Sequence, residues 1–65
     1  MIRLRRPNGH RLILNADLIE TIEASDDGST SIVLTTGNLV VVAESPDTVR
    51  EAVIAYRRAI GGVDG

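Results

Sequence analysis

Turn chemistry recurs so often before Ala43 that no apolar run between the turns is long enough for a helix. The breaks are Pro7-Asn8-Gly9-His10, Asn15-Ala16-Asp17-Leu18, Asp26-Asp27-Gly28-Ser29 and Gly37-Asn38. Gly and Pro set the backbone for such turns, and Asn and Asp side chains cap local N–H groups. The segments between them read as strands. Ile2 and Leu4 alternate with Arg3 and Arg5, the period of a half-buried strand. Asn8-Gly9 is a two-residue hairpin signal, so Arg11–Leu14 should return beside Ile2–Arg5, with Leu12 and Leu14 inward and Ile13 on the other face. Ile19–Ser25, with Ile22 and Ala24 inward, Ser31–Thr36 and Leu39–Ala43 complete five strands.

The fifth segment is apolar at Leu39, Val40, Val41 and Val42, so both its faces should be covered. Helical signals begin only after it. Ser45 can cap, Pro46 suits the first helical position, and Asp47 complements the positive end of the helix dipole. Val49, Ala52, Val53, Tyr56 and Ile60 form one apolar stripe, with Ile54 beside it as a candidate contact and Gly61-Gly62 as the stop. Connections of two to four residues favour antiparallel neighbours. The expected fold is therefore mainly β (α+β): a single domain over residues 1–60, a five-strand antiparallel meander forming a strongly curved sheet or small open barrel. One C-terminal helix, about 46–60, packs on it, and 61–65 is a flexible tail.

Size then becomes the difficulty. At 65 residues the core is small, and the absence of cysteine removes disulfides and thiolate metal sites. A homo-oligomer is the remaining way to cover apolar surface, and Ile13, Val40, Val42 and Ile54 are the expected interface. No apolar run approaches the ~18 residues of a membrane span, and charge follows Met1-Ile2 at once, so a cytoplasmic location without membrane insertion is expected.

Little in the sequence points to catalysis, and no cofactor is expected. The sole histidine, His10, lies in a turn, without a third group to orient a Ser–His pair. Alternation would place Glu20 and Glu23 on opposite faces of one strand, with Glu20 near the Ile22 face, which disfavours a paired acid and base. Asp26-Asp27-Gly28 lacks the spaced ligands and closing Glu of a calcium loop. All seven basic residues are arginines, four of them within the first eleven positions, and the formal net charge is −2. Arg3 and Arg5 share a strand face that Arg11 can join across the hairpin. That group could take phosphate or carboxylate, or it could be an ordinary solvated face. No aromatic residue interleaves with it, so base stacking is unsupported and nucleic acid is not the expected partner.

The run Met1-Ile2-x-Leu4-x-Arg6-x-Asn8-Gly9, then Leu14-Asn15-x-Asp17-Leu18-Ile19-Glu20-x-Ile22-Glu23, then Gly37, Val42-x-Glu44-Ser45, Val49 and Tyr56, resembles the small flagellar FlbD/SwrD family over nearly the whole chain. This is not the larger transcriptional regulator that shares the name. Pro7 and Asp26-Asp27-Gly28 depart from the family's usual residues, both within turns. The resemblance implies a short cytoplasmic protein serving swarming motility or flagellar motor power, with no known catalytic activity.

Two functional classes follow. The first is a non-enzymatic flagellar accessory protein, cytoplasmic and peripheral at the basal body. It would bind a motor or basal-body protein through Asn15, Asp17, Glu20 and Glu23, or through Arg3, Arg5 and Arg11. The second is a small RNA-binding regulator resembling the carbon storage regulator family, which also has five strands and a helix. That family relies on a basic segment before the helix, where this chain reads Val42-Ala43-Glu44-Ser45. An acidic segment repels phosphate.

Overall fold

The computed structural model describes residues 1–61. In chain order they form β1 (Ile2–Arg5), β2 (Arg11–Leu14), a 3-10 turn (Ala16–Leu18), β3 (Ile19–Ala24), β4 (Thr30–Leu34), β5 (Leu39–Val42) and α1 (Pro46–Gly61). Each expected strand and the helix are present within two residues of the bounds read from sequence. The expected tail lies beyond these residues except for Gly61, as does Gly62 of the helix stop.

The strands do not join into one meander, and no closed barrel forms. β1 and β2 make a two-stranded antiparallel sheet, and β3, β4 and β5 a second sheet in that order. β2 and β3 stay unpaired because the link between them winds up instead of folding back. The Asn15 side chain accepts from the Asp17 N–H at 3.0 Å, and the Asn15 carbonyl accepts from Leu18 N–H at 3.0 Å. These bonds make Asn15 the N-cap of the 3-10 turn. The turn carries the chain from one sheet to the other and leaves Ala16 fully buried. The two sheets are hydrogen-bonded at one corner, where Ala43 N–H donates to the Arg5 carbonyl at 2.7 Å.

All three hairpins are closed by one turn design. Arg6, Ser25 and Leu34 donate N–H bonds to the carbonyls of His10, Ser29 and Asn38 at 2.8, 2.9 and 2.9 Å. Their own carbonyls accept from Gly9, Gly28 and Gly37. This is the three-residue loop whose last residue is left-handed and forms a glycine bulge. Gly37 illustrates it, with φ at +91°. Asn8-Gly9 is thus the end of a three-residue loop, not a two-residue turn.

Turn type sets register, and register sets which side chains enter the core. Closing β4–β5 at Leu34 and Asn38 pairs Val33 with Leu39, Ile32 with Val40, and Thr30 with Val42. Ile32 and Thr30 are wholly enclosed, so Val40 and Val42 share their inward face. This corrects the expectation that Val40 and Val42 face outward to a second copy: Val42 has no exposed surface, and Val40 packs against the core. The outward apolar residues of β5 are Leu39 and Val41.

The core takes Ile2 and Leu4 from β1, Leu14 from β2, Ile32 and Leu34 from β4, Val42 from β5 and Val49 from α1, with Ala16. One core therefore lies between the inner faces of both sheets and the helix, which packs on β1 and β3. Ala52, Val53 and Tyr56 extend the helix contact as half-buried residues. Ser45 caps α1 as its sequence suggests, its hydroxyl accepting from Thr48 N–H at 3.1 Å. Ile22 packs inward as expected, and Ala24 shares its face through its pairing with buried Thr30, although it is exposed where β3 ends.

Candidate functional site

Because both sheets turn their inner faces to one core, each has an outer face available for binding. On the β1–β2 hairpin, Arg5 lies directly opposite Arg11 and Arg3 opposite Ile13. All four are exposed, and Ile13 retains 66 % of its accessible surface. Inward Ile2, Leu4 and Leu14 leave the intervening positions to point outward, so Arg3, Arg5 and Arg11 share the outer face of the hairpin. Arg3, Arg5, Arg11 and Ile13 line an open groove with Leu4, Leu12 and Glu44. The arginine grouping expected from sequence is thus present. Glu44, which contributes a carboxylate to it, lies 39 positions from Arg5 and carried no local signal.

The outer face of β3–β4–β5 has the opposite charge. Its cross-strand rows are Thr21–Val33–Leu39 and Glu23–Ser31–Val41. Ser31 joins Ser25 through their hydroxyls at 2.9 Å. Leu39 is 61 % exposed, and Val33 and Val41 are half-buried. A β-bulge between Ile19 and Thr21 shapes the acidic border. Ile19 and Ile22 both pack on the core although three positions apart, and strict alternation cannot place them on one side. The bulge absorbs the extra residue, leaving Glu20 and Thr21 both exposed. Glu20 and Glu23 therefore do not lie on opposite faces as simple alternation implies: both are outside, and Glu20 does not enter the core.

Other residues proposed from sequence are dispersed. The Asn15 oxygen is occupied by its capping bond, while Asp17 is exposed in the first turn of the 3-10 helix. Ile54, expected as an exposed contact, is half-buried on α1. At the β3–β4 turn, Asp27 accepts from the Ser29 hydroxyl at 2.6 Å and from its N–H at 3.0 Å. The hydroxyl bond, followed by the backbone bond, holds the Asp27 carboxyl below the ordinary aspartate range. This organises a turn, and among the described residues no group of three acidic, His or Cys side chains gathers as a metal site.

The arrangement defines a small α+β protein with two outward sheet faces of opposite charge, one holding Ile13 and the other Leu39. The chain belongs to the FlbD family of flagellar and swarming motility proteins, whose family model matches residues 1–61. No curated protein and no solved structure matches the chain. Among the described residues, no helix is long and apolar enough to cross a membrane.

Proposed function

We propose that this chain is a non-enzymatic accessory protein of flagellar motility, acting on the cytoplasmic side of the motor by holding another protein. Family membership supports the process. The observation that carries the contact is the outer face of β3–β4–β5, where Glu20 and Glu23 border half-buried Val33 and Val41 and exposed Leu39. An apolar centre with a charged margin suits a protein partner, since burial supplies affinity and rim charges supply orientation. Asn15 caps the connection leading into that face, and Asp17 is exposed within it.

The test is a double variant, Glu20→Gln with Glu23→Gln, placed in a motile host. Both side chains are exposed, so the substitutions remove charge without opening a cavity. The expected result is a normally folded protein, impaired swarming or motor power, and loss of an in-cell crosslink to a motor or basal-body component. Normal motility with the crosslink retained would overturn the reading. The RNA-binding alternative would use Arg3, Arg5 and Arg11, but Glu44 adds a negative charge in the same groove. A salt-dependent shift of RNA in a gel would favour that alternative.

A further inference from the structure

We infer that copies of this chain associate head to tail, the arginine face of the β1–β2 hairpin of one copy seating on the acidic face of β3–β4–β5 of the next. Each face combines one strongly exposed apolar side chain with charge of predominantly one sign. Ile13, 66 % exposed, stands among Arg3, Arg5 and Arg11, with Glu44 as the minority charge; Leu39, 61 % exposed, shares its face with Glu20 and Glu23. Bringing either face against its own copy sets like charges together, which disfavours a symmetric contact through one patch. Bringing hairpin against sheet pairs guanidinium with carboxylate and covers Ile13 and Leu39 in one contact.

The fold then decides how far association proceeds. Both sheets share one core and join at the corner between Arg5 and Ala43, so their outer faces diverge from that core. One neighbour cannot engage both faces of a convex corner. Each copy therefore engages two neighbours, and the product is a ring or an open chain. Such a contact also fits a 65-residue chain whose own core is small.

Two blocked variants test this with the full chain. Arg3→Ser, Arg11→Ser and Ile13→Ser together block the hairpin face. Glu20→Gln, Glu23→Gln and Leu39→Ser together block the sheet face. All six positions are exposed, and circular dichroism melts check that both variants fold. Sedimentation of the unaltered chain should show an average mass that rises past twice the monomer with concentration and falls as salt screens the charges. Each blocked variant should remain monomeric, while their equimolar mixture should form a one-to-one dimer that grows no further. A monomer throughout the series, a dimer that stops growing in the unaltered chain, or a blocked variant that still self-associates would overturn the inference.

The inference places a second copy on the same acidic face that the proposed motility contact uses, so the two contacts compete for Glu20, Glu23 and Leu39. The hairpin-blocked variant leaves Glu20 and Glu23 in place, so motility retained by that monomer would separate self-association from partner binding.

Discussion

The backbone N–H of Arg5 donates to the Glu44 carboxylate at 3.0 Å, tying the end of β1 to the residue just before the cap of α1. The neighbouring Arg5 carbonyl accepts from Ala43, and the Glu44 carbonyl accepts from the hydroxyl of enclosed Thr30. Glu44 thus connects the hairpin, the second sheet and the start of the helix. Glu44→Ala should destabilise by about 1–2 kcal/mol, the range for a hydrogen bond to a charged group that is partly open to water. Glu44→Gln keeps an acceptor and should cost less. Urea titration measures both, and wild-type stability in the alanine variant would mean that the core alone joins the sheets.

Burial ranks the helix positions differently from their similar appearance in sequence. Val49 has no exposed surface, whereas Val53 is half-buried. Val49→Ala should cost about 1–3 kcal/mol by loss of transfer and packing energy, and Val53→Ala clearly less. Equal costs in thermal or urea melts would place the helix rotated about its axis from the position described.

Gly37 carries the register of β4 and β5. Its φ is +91°, and a Cβ built there meets no atom within 4 Å. Gly37→Ala should therefore act by backbone strain alone, at about 1–2 kcal/mol. Gly37→Asn should recover part of that, because Asn tolerates the left-handed region better. A neutral alanine variant in a urea titration would show that the turn can change type without loss.

The same turn explains what the sequence conceals. Strand positions and the Ser45-Pro46-Asp47 helix start are local signals, and they survive in the fold. The inward side of Leu39–Val42 is not local, because four successive apolar residues carry no alternation. Reading Gly37 as the final residue of a three-residue loop would pair Val33 with Leu39 and turn Val40 and Val42 inward. The separation into two sheets depends on the Asn15 cap, and a short Asn-x-Asp turn looks alike whether it closes a hairpin or carries the chain elsewhere. Arg3, Arg5 and Arg11 could be grouped from alternation alone, but Glu44 joins them only through tertiary structure.

Asp27 gives the stability of the β3–β4 turn a defined acid dependence. Its two bonds to Ser29 lower its folded value, so the unfolded chain binds the proton more readily. The contribution is complete above the ordinary aspartate pKa of roughly 4 and is lost as pH falls through the lowered value. Asp27→Asn keeps an acceptor without the charge, so its deficit relative to wild type should shrink as the solution is acidified. Urea titrations at a series of pH values check this, and a deficit that grows on acidification contradicts the sign.

The bulge in β3 separates shape from charge on the acidic face. Deleting Thr21 would leave Ile19 inward, Glu20 outward, Ile22 inward and Glu23 outward in simple alternation, without the extra residue. Both carboxylates would remain, but their spacing along the strand would shorten. Deleting Glu20 instead would restore the same alternation with Thr21 outward and one carboxylate fewer. The two deletions remove the same bulge and should have similar urea midpoints. If charge carries the contact, the Thr21 deletion should retain more swarming than the Glu20 deletion. Equal loss in both, with both folded, would make the local twist of the bulge the feature that the partner reads.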